Sequence, residues 1–300
     1  MYAIVGATGH TGSVVAENLL AKGQKVRVIG RDAKRLERFT KKGAEGAVAD
    51  ATDAGSLQKA FSGATAVYAL IPPNMSAADV LGYQQRVCDA LAAAIERAGV
   101  THAVVLSSFG ADKPDKTGPV LGLWHLEQKL SAINRLNALF LRAGYFMENT
   151  LPQAGVIRNM GNMAGPVRAD LLLPMIASRD IGACAAEALL KPDFQGKSTR
   201  ELLGARDLSY AEVAKIIGAA IGKPGLGYQQ VPPVALRPIL QQMGMSANFV
   251  ELFFEMTDAL NSGHMRAIEA RSPANTTPTT IEAFVAEVFV PAYRGQAAGA

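Results

Sequence analysis

Apolar residues fall into two alternating patterns along the first half of the chain. Short, largely apolar runs occur at residues 3–5, 26–29, 47–49, 66–71, 103–106 and 138–141. Between them lie longer stretches with helical spacing, such as Val14, Val15, Leu19 and Leu20, and then Val87, Leu91 and Ile95. A strand that is apolar on both faces belongs to a parallel sheet covered by helices on both sides. Right-handed crossovers then give an α/β, Rossmann-type, doubly wound parallel sheet. The rhythm is lost in the second half, where prolines cluster at Pro152, Pro166 and Pro174 and again at Pro224, Pro232, Pro233 and Pro238. The expected organisation is a first domain over residues 1–150, to which the chain returns at 174–204, and a second, smaller, mostly C-terminal α/β domain over residues 151–300.

Two helix starts are written as capping boxes, Ser209 to Glu212 and Thr279 to Glu282. The first helix should stop near Gly222, with Pro224 just beyond. A helix near residues 248–260 carries Val250, Leu252, Phe253, Phe254, Met256 and Leu260; it can be core, a lid over a pocket or a dimer contact. Residues 295–300 are expected to fray.

The loop after the first strand carries the first chemistry. Gly6-Ala7-Thr8-Gly9-His10-Thr11-Gly12 joins a strand directly to a helix. Gly6 permits a tight turn, Gly9 lets backbone approach a pyrophosphate, and Gly12 lets the helix pack close to the strand. The free N–H groups and dipole of the helix start favour an anion. The bland alternative is a merely tight turn. At the end of the second strand a site for NAD would place an acidic residue for the ribose hydroxyls. This chain has Arg31 there, 25 residues after Gly6, followed by Asp32, Lys34 and Arg35. A guanidinium can pair bidentately with a 2′-phosphate, so NADP(H) is expected over NAD(H). The basic stretch from Arg31 to Lys42 has three readings: a solvated helix face, a phosphate clamp using only its first residues, or a nucleic-acid patch. The last lacks any aromatic platform or DNA-reading motif.

Composition narrows the remaining classes. With 49% hydrophobic and 19% charged residues, 300 residues can bury a large core, and disorder is excluded. A formal net charge of +4 does not by itself point to nucleic acid. Cys88 and Cys184 cannot make a disulfide framework, and His10, His102, His125 and His264 show no zinc-ligand spacing, so no metal is expected. No apolar run reaches the roughly 18–20 residues that span a bilayer. No targeting segment is visible, and a cytoplasmic location is the default expectation.

Several motifs together resemble the NmrA-like branch of the short-chain dehydrogenase/reductase superfamily. They are the glycine loop, the Gly30-Arg31-Asp32 corner, Asp50 after the third strand, Ser107-Ser108-Phe109-Gly110-Ala111, the stretch from Leu141 to Asn149, that from Ala177 to Gly182, and Pro278-Thr279-Thr280. The resemblance covers about residues 2–290 and implies that the first domain, of Rossmann type, binds the nucleotide, that the smaller, mostly C-terminal domain serves the substrate, and that NADP(H) is held in the cleft. Its members include NADPH-dependent quinone oxidoreductases, and also redox sensors that bind NADP and regulate a protein partner. By position, Thr8, His10 and Thr11 would line the phosphates, Asp50 and Ala51 the adenine, and Leu70, Ile71 and Pro72 the path toward the nicotinamide. Phe146 and Asn149 would face the nicotinamide end.

Short-chain dehydrogenases otherwise use Tyr-x-x-x-Lys, and none of the seven tyrosines here has Lys four residues on. His125-x-x-x-Lys129 stands in the corresponding region and shares one helix face. It is either a proton donor with a ribose-binding lysine or an ordinary exposed pair. Ser107 and Ser108 sit at a strand's carboxyl end, where open α/β sheets bind ligands. Phe109, Tyr145, Phe146 and Asn149 would border the substrate; stacking and core packing compete for the two at 145 and 146. The leading expectation is an NADPH-dependent reductase of a quinone or similar conjugated carbonyl. A non-catalytic NADP(H) sensor acting on a protein partner is the alternative, and an epimerase suffers from the same missing tyrosine. The Met-rich segment 240–256 could serve a homodimer.

Overall fold

The computed structural model describes residues 1–296; residues 297–300 of the expected frayed tail lie outside the described residues. The first half is a strict alternation: β1 (Tyr2–Val5), α1 (His10–Ala21), β2 (Val26–Gly30), α2 (Ala33–Thr40), β3 (Glu45–Val48), α3 (Ala54–Phe61), β4 (Ala66–Ala69), α4 (Val80–Arg97), β5 (His102–Ser108), α5 (Leu121–Ser131) and β6 (Asn137–Ala143). There follow β7 (Tyr145–Phe146), α6 (Gln153–Met160), β8 (Met163–Gly165), β9 (Leu173–Ile176), α7 (Ser178–Leu190) and β10 (Lys197–Leu202). The chain ends with β11 (Asp207–Leu208), α8 (Tyr210–Ala220), β12 (Tyr228–Gln230), α9 (Pro233–Gln242), α10 (Ala247–Asn261), α11 (Ile281–Phe284) and α12 (Val290–Tyr293), the last two joined by a π-helical turn.

Seven strands pair in the order β10-β6-β5-β4-β1-β2-β3, all parallel. Strand order reverses between β1 and β4, which opens a crevice above their carboxyl ends. One face packs Val67, Val105 and Phe140 against Leu91 of α4 and Leu126 of α5. The other packs Ile4, Val28, Val104 and Leu141 against α1 and α7 through Val15 and Ile181. Those two helices touch closely: a Cβ on Gly182 would lie 2.6 Å from Val14 Cβ and 2.8 Å from the Thr11 carbonyl. A third cluster, including Met147, Ile157, Met175, Val213, Ile217, Phe284 and Phe289, gathers β7, β9, α6, α8 and the C-terminal helices.

Two expectations shift in detail. The third strand runs over Glu45–Val48 rather than 47–49, because it is the sheet edge and its side chains stay largely exposed. The Ser209 capping box forms as read, and Gly222 follows the helix with φ +75°. The second box does not form. Thr279 gives its N–H and hydroxyl to the Asp180 carboxylate at 2.9 and 2.6 Å, so the cap moves to Thr280, and Glu282 pairs with Arg206 instead. Helix α10 is core through Val250, Leu252 and Phe254, capped by Ser246, and offers Phe249 to the cleft described next.

Candidate active site

The loop between β1 and α1 turns at Gly6, whose φ of +67° favours glycine. The Gly9 N–H closes the turn on the Gly6 carbonyl at 2.9 Å. A Cβ on Gly12 would stand 2.3 Å from that same carbonyl oxygen, so only glycine fits there without backbone movement. Helix α1 starts from Gly9 with no side-chain cap, which leaves its first N–H groups for a ligand. Thr8 lines the cleft above this loop. His10 is exposed and the Thr11 hydroxyl faces inward, accepting from Tyr68 Oη at 2.9 Å; neither side chain is among those lining the cleft.

The cleft has two connected parts. The first, about 650 Å³, is lined by Gly6 and Thr8, by Arg31, Asp32 and Arg35, by Asp50, Ala51 and Thr52, and by Arg86 of α4. Among the described residues, none of these three arginines pairs with a carboxylate. The nearby carboxylates are already used. Asp32 caps α2 by accepting the Lys34 N–H, and Asp50 accepts from the Thr52 N–H and hydroxyl at 2.8 Å each. Those two bonds, helped by Arg31, hold the Asp50 carboxyl below its ordinary pKa. The rest of the basic stretch lies outside the cleft: Lys41 and Lys42 pair with Glu37 and Glu17, and Arg38 lies over the Phe39 ring.

The second part, about 310 Å³, shares Pro72, Asn74 and Tyr83 with the first. Leu70 and Ile71 follow β4, Leu106, Ser107 and Ser108 end β5, and Val120, Leu123, Phe146, Asn149 and Phe249 complete its wall. Among the described residues, no Asp, Glu, Lys, Arg or His lines it. The structure thus brings Leu70, Ile71, Pro72, Ser107, Ser108, Phe146 and Asn149 together. It does not bring in Phe109, which is buried in the third core cluster. Nor does it bring in Tyr145, whose hydroxyl meets Tyr210 Oη at 3.0 Å and whose pKa burial pushes up.

His125 and Lys129 also stand apart from both cavities. Lys129 Nζ lies 2.5 Å from the Asp89 carboxylate on α4, a bond that raises its pKa. His125 packs edge-on against Trp124, with ring centroids 4.9 Å apart. Leu123 is the residue of α5 that faces the cleft, and two residues along a helix turn a side chain by about 200°.

Sequence reading missed two features. Arg86 lies far along the chain from Arg31 and reaches the same cavity only through the fold. Behind the second cavity, Ser107, Glu127 and Arg142 form a buried polar cluster. Its signal was present: β5 and β6 each end an apolar run with a polar residue, and the buried face of α5 contains one glutamate.

The family model of NmrA-like proteins matches residues 2–285. An NAD(P)H azoreductase from Xenophilus azovorans is 29% identical over 258 residues, spanning 85% of this chain and 86% of that protein. Among solved structures, an NADPH-dependent quinone oxidoreductase from Escherichia coli complexed with NADPH superposes with a TM-score of 0.79 at 22% identity, covering 96% of this chain and all of the other. A nucleoside-diphosphate-sugar epimerase from Staphylococcus aureus gives 0.81 at 19% identity, covering 95% and 99%. At such identities the two structures share the fold with this chain. Among the described residues, no helix is long and apolar enough to cross a membrane.

Proposed function

The chain belongs to the NmrA-like family, and we propose that it is an NADPH-dependent reductase that passes a hydride to a quinone or similar conjugated carbonyl. The observation that carries this reading is the contrast between the two halves of one cleft: among the described residues, three guanidiniums without a carboxylate partner line one end and no charged side chain lines the other. The azoreductase relative, named for reduction of another conjugated class, supports the same chemistry.

The residues present fit a phosphorylated dinucleotide. Gly6 takes a φ that favours glycine and a Cβ on Gly12 would strike backbone, the start of α1 offers N–H groups, and Arg31, Arg35 and Arg86 have no carboxylate partner and can meet a 2′-phosphate, Arg35 giving up only a 3.5 Å bond to the Thr8 carbonyl. NADPH when bound supplies the hydride. Leu70, Ile71, Val120, Leu123, Phe146 and Phe249 would exclude water from the reacting face and pack against a flat acceptor. An aliphatic ketone reduced there would form an alkoxide, which needs a positioned acid; the described residues give the cavity no carboxyl, lysine or imidazole, and its phenol, Tyr83, already donates to the Pro72 carbonyl at 3.0 Å. A quinone spreads its new charge over a conjugated system and can take its proton from water afterwards.

The test is NADPH oxidation by the purified protein against a panel of small quinones, with NADH and an aliphatic ketone alongside. Saturable quinone turnover that favours NADPH is expected. Tight NADPH binding with no turnover on any acceptor would replace the reductase with the sensor.

A further inference from the structure

Ser107 and Arg142 are register partners on β5 and β6, so their side chains lie side by side on the face covered by α5. Each ends a series of core residues on that face, Ala103 and Val105 on one strand, Ala138 and Phe140 on the other. The Glu127 carboxylate comes down from α5 between them. Glu127 Oε1 accepts from Ser107 Oγ at 2.6 Å and from Arg142 Nε at 3.0 Å, and Oε2 accepts from Arg142 Nη2 at 2.6 Å. The two charged side chains are only 6% and 11% exposed. Burying such a pair is weak evidence of a stabilising role, because desolvation offsets much of the attraction.

We infer that Glu127 and Arg142 are positioning residues: they commit the Ser107 hydroxyl proton to the protein interior, so that Ser107 presents only lone pairs to the cavity. The chemistry follows from the donor inventory. A carboxylate held by both edges of a guanidinium fork is an acceptor only, and a serine hydroxyl has one hydrogen and two lone pairs. With that hydrogen on Glu127, Ser107 can receive an N–H or O–H from a ligand and cannot donate to an acceptor's carbonyl. In the reductase proposed above, on which this inference rests, the matching donors are the carboxamide N–H₂ and ribose hydroxyls of the cofactor's nicotinamide half. Ser107 then orients the cofactor, and it is not the acid that protonates the reduced product.

The test is nucleotide affinity, read by quenching of Trp124, the chain's single tryptophan, in the wild type, S107A, E127Q and the double variant. S107A should weaken NADPH binding about 3- to 10-fold, the range for one neutral hydrogen bond. E127Q should weaken it by a similar factor, and the double variant should be no worse than the weaker-binding single one. R142K, which keeps the charge but loses the fork, should behave as E127Q does and stands in for it if E127Q does not fold. In turnover, KM for NADPH should rise while kcat holds. Multiplicative losses in the double variant would show that the pair acts only through the scaffold. Unchanged affinity in S107A, or a fall in kcat alone, would also overturn the inference. A wild-type protein that binds neither NADPH nor NADP⁺ would overturn the cofactor reading and this inference with it, whereas a wild type that binds NADPH with S107A indifferent overturns this inference alone.

Discussion

Replacing Arg31 with alanine takes one guanidinium from the cavity that also holds Arg35 and Arg86. A charged hydrogen bond is worth about 1.5–3 kcal/mol, or roughly 10- to 150-fold in affinity. Its loss should therefore weaken NADP⁺ and NADPH by that factor while leaving NAD⁺ and NADH nearly unchanged. The two remaining arginines still attract the 2′-phosphate, so some preference survives, and it should shrink with added salt because the Debye length falls to about 8 Å at physiological ionic strength. The fold should not suffer. Arg31 has no carboxylate partner to abandon, and an exposed substitution of that kind usually stays within about 0.5 kcal/mol. Isothermal titration with NADP⁺ and NAD⁺, paired with thermal melts, separates the two effects. An NADP⁺-to-NAD⁺ affinity ratio unchanged in R31A would refute the placement of the 2′-phosphate. A large drop in Tm would show that Arg31 serves the scaffold instead.

G12A should lower Tm by about 3–10 °C, since its Cβ would run into the Gly6–Ala7 peptide and overpacking costs about 1–3 kcal/mol. G155A, in a helix with nothing within 4 Å, should raise Tm, and the opposite ranking would refute the steric reading. H125A should leave quinone turnover essentially unchanged; a general acid contributes about 10²–10⁴-fold, so a loss of that size would return His125 to the site. Glu201 is buried, and desolvation raises its pKa above the ordinary 4.5 despite N–H donors from Ile268 and Glu269. Its contribution to stability is present in full below pH 4.5 and is lost as pH climbs through the raised native value. The Tm of E201Q relative to wild type should therefore rise between pH 4 and pH 7, and a fall would contradict the direction of the shift.

What was legible in the sequence is what depends on few residues at a time. Strands β1, β4, β5 and β6 are buried on both faces and write themselves as apolar runs, as does β2 apart from Arg27; β3, at the edge, opens with Glu45 and Gly46, so its apolar residues mark only its second half. The glycine loop is readable because its requirement is backbone conformation and closeness, which only glycine meets. Arg31 is readable because it follows its strand directly. Expectation and structure part where a distant partner decides. Thr279 is drawn off its expected capping role by Asp180, far away in sequence, and Thr280 caps the helix instead. The His125-x-x-x-Lys129 spacing fixes a shared face but says nothing about which way it points, and Asp89 draws Lys129 to α4. Phe109 and Tyr145 carry the aromatic character expected of a substrate wall, yet that character serves a core equally well.

The two halves of the cleft are built by different parts of the chain, and this divides their duties. The arginine-lined half comes from the loops after β1, β2 and β3 together with α4, all within the first hundred residues. The uncharged half also draws on Phe146, Asn149 and Phe249 from later segments. Helix α10 is tied to the rim: the Ser246 N–H donates to the Met75 carbonyl at 2.9 Å, and Asn248 Oδ1 accepts from the Val80 N–H at 2.9 Å. The same helix anchors the turn before α5, where Glu255 accepts the Gly118 N–H and a Cβ on Gly118 would strike the Leu252 carbonyl at 2.0 Å. Phe249 is therefore held by both walls of the cavity it lines. In the proposed reductase, a larger acceptor needs α10 and its two anchor points to move as one body. The size limit on acceptors then resides in the C-terminal half, while nucleotide preference resides in the N-terminal half, and substitutions at Phe249 should alter the first without touching the second.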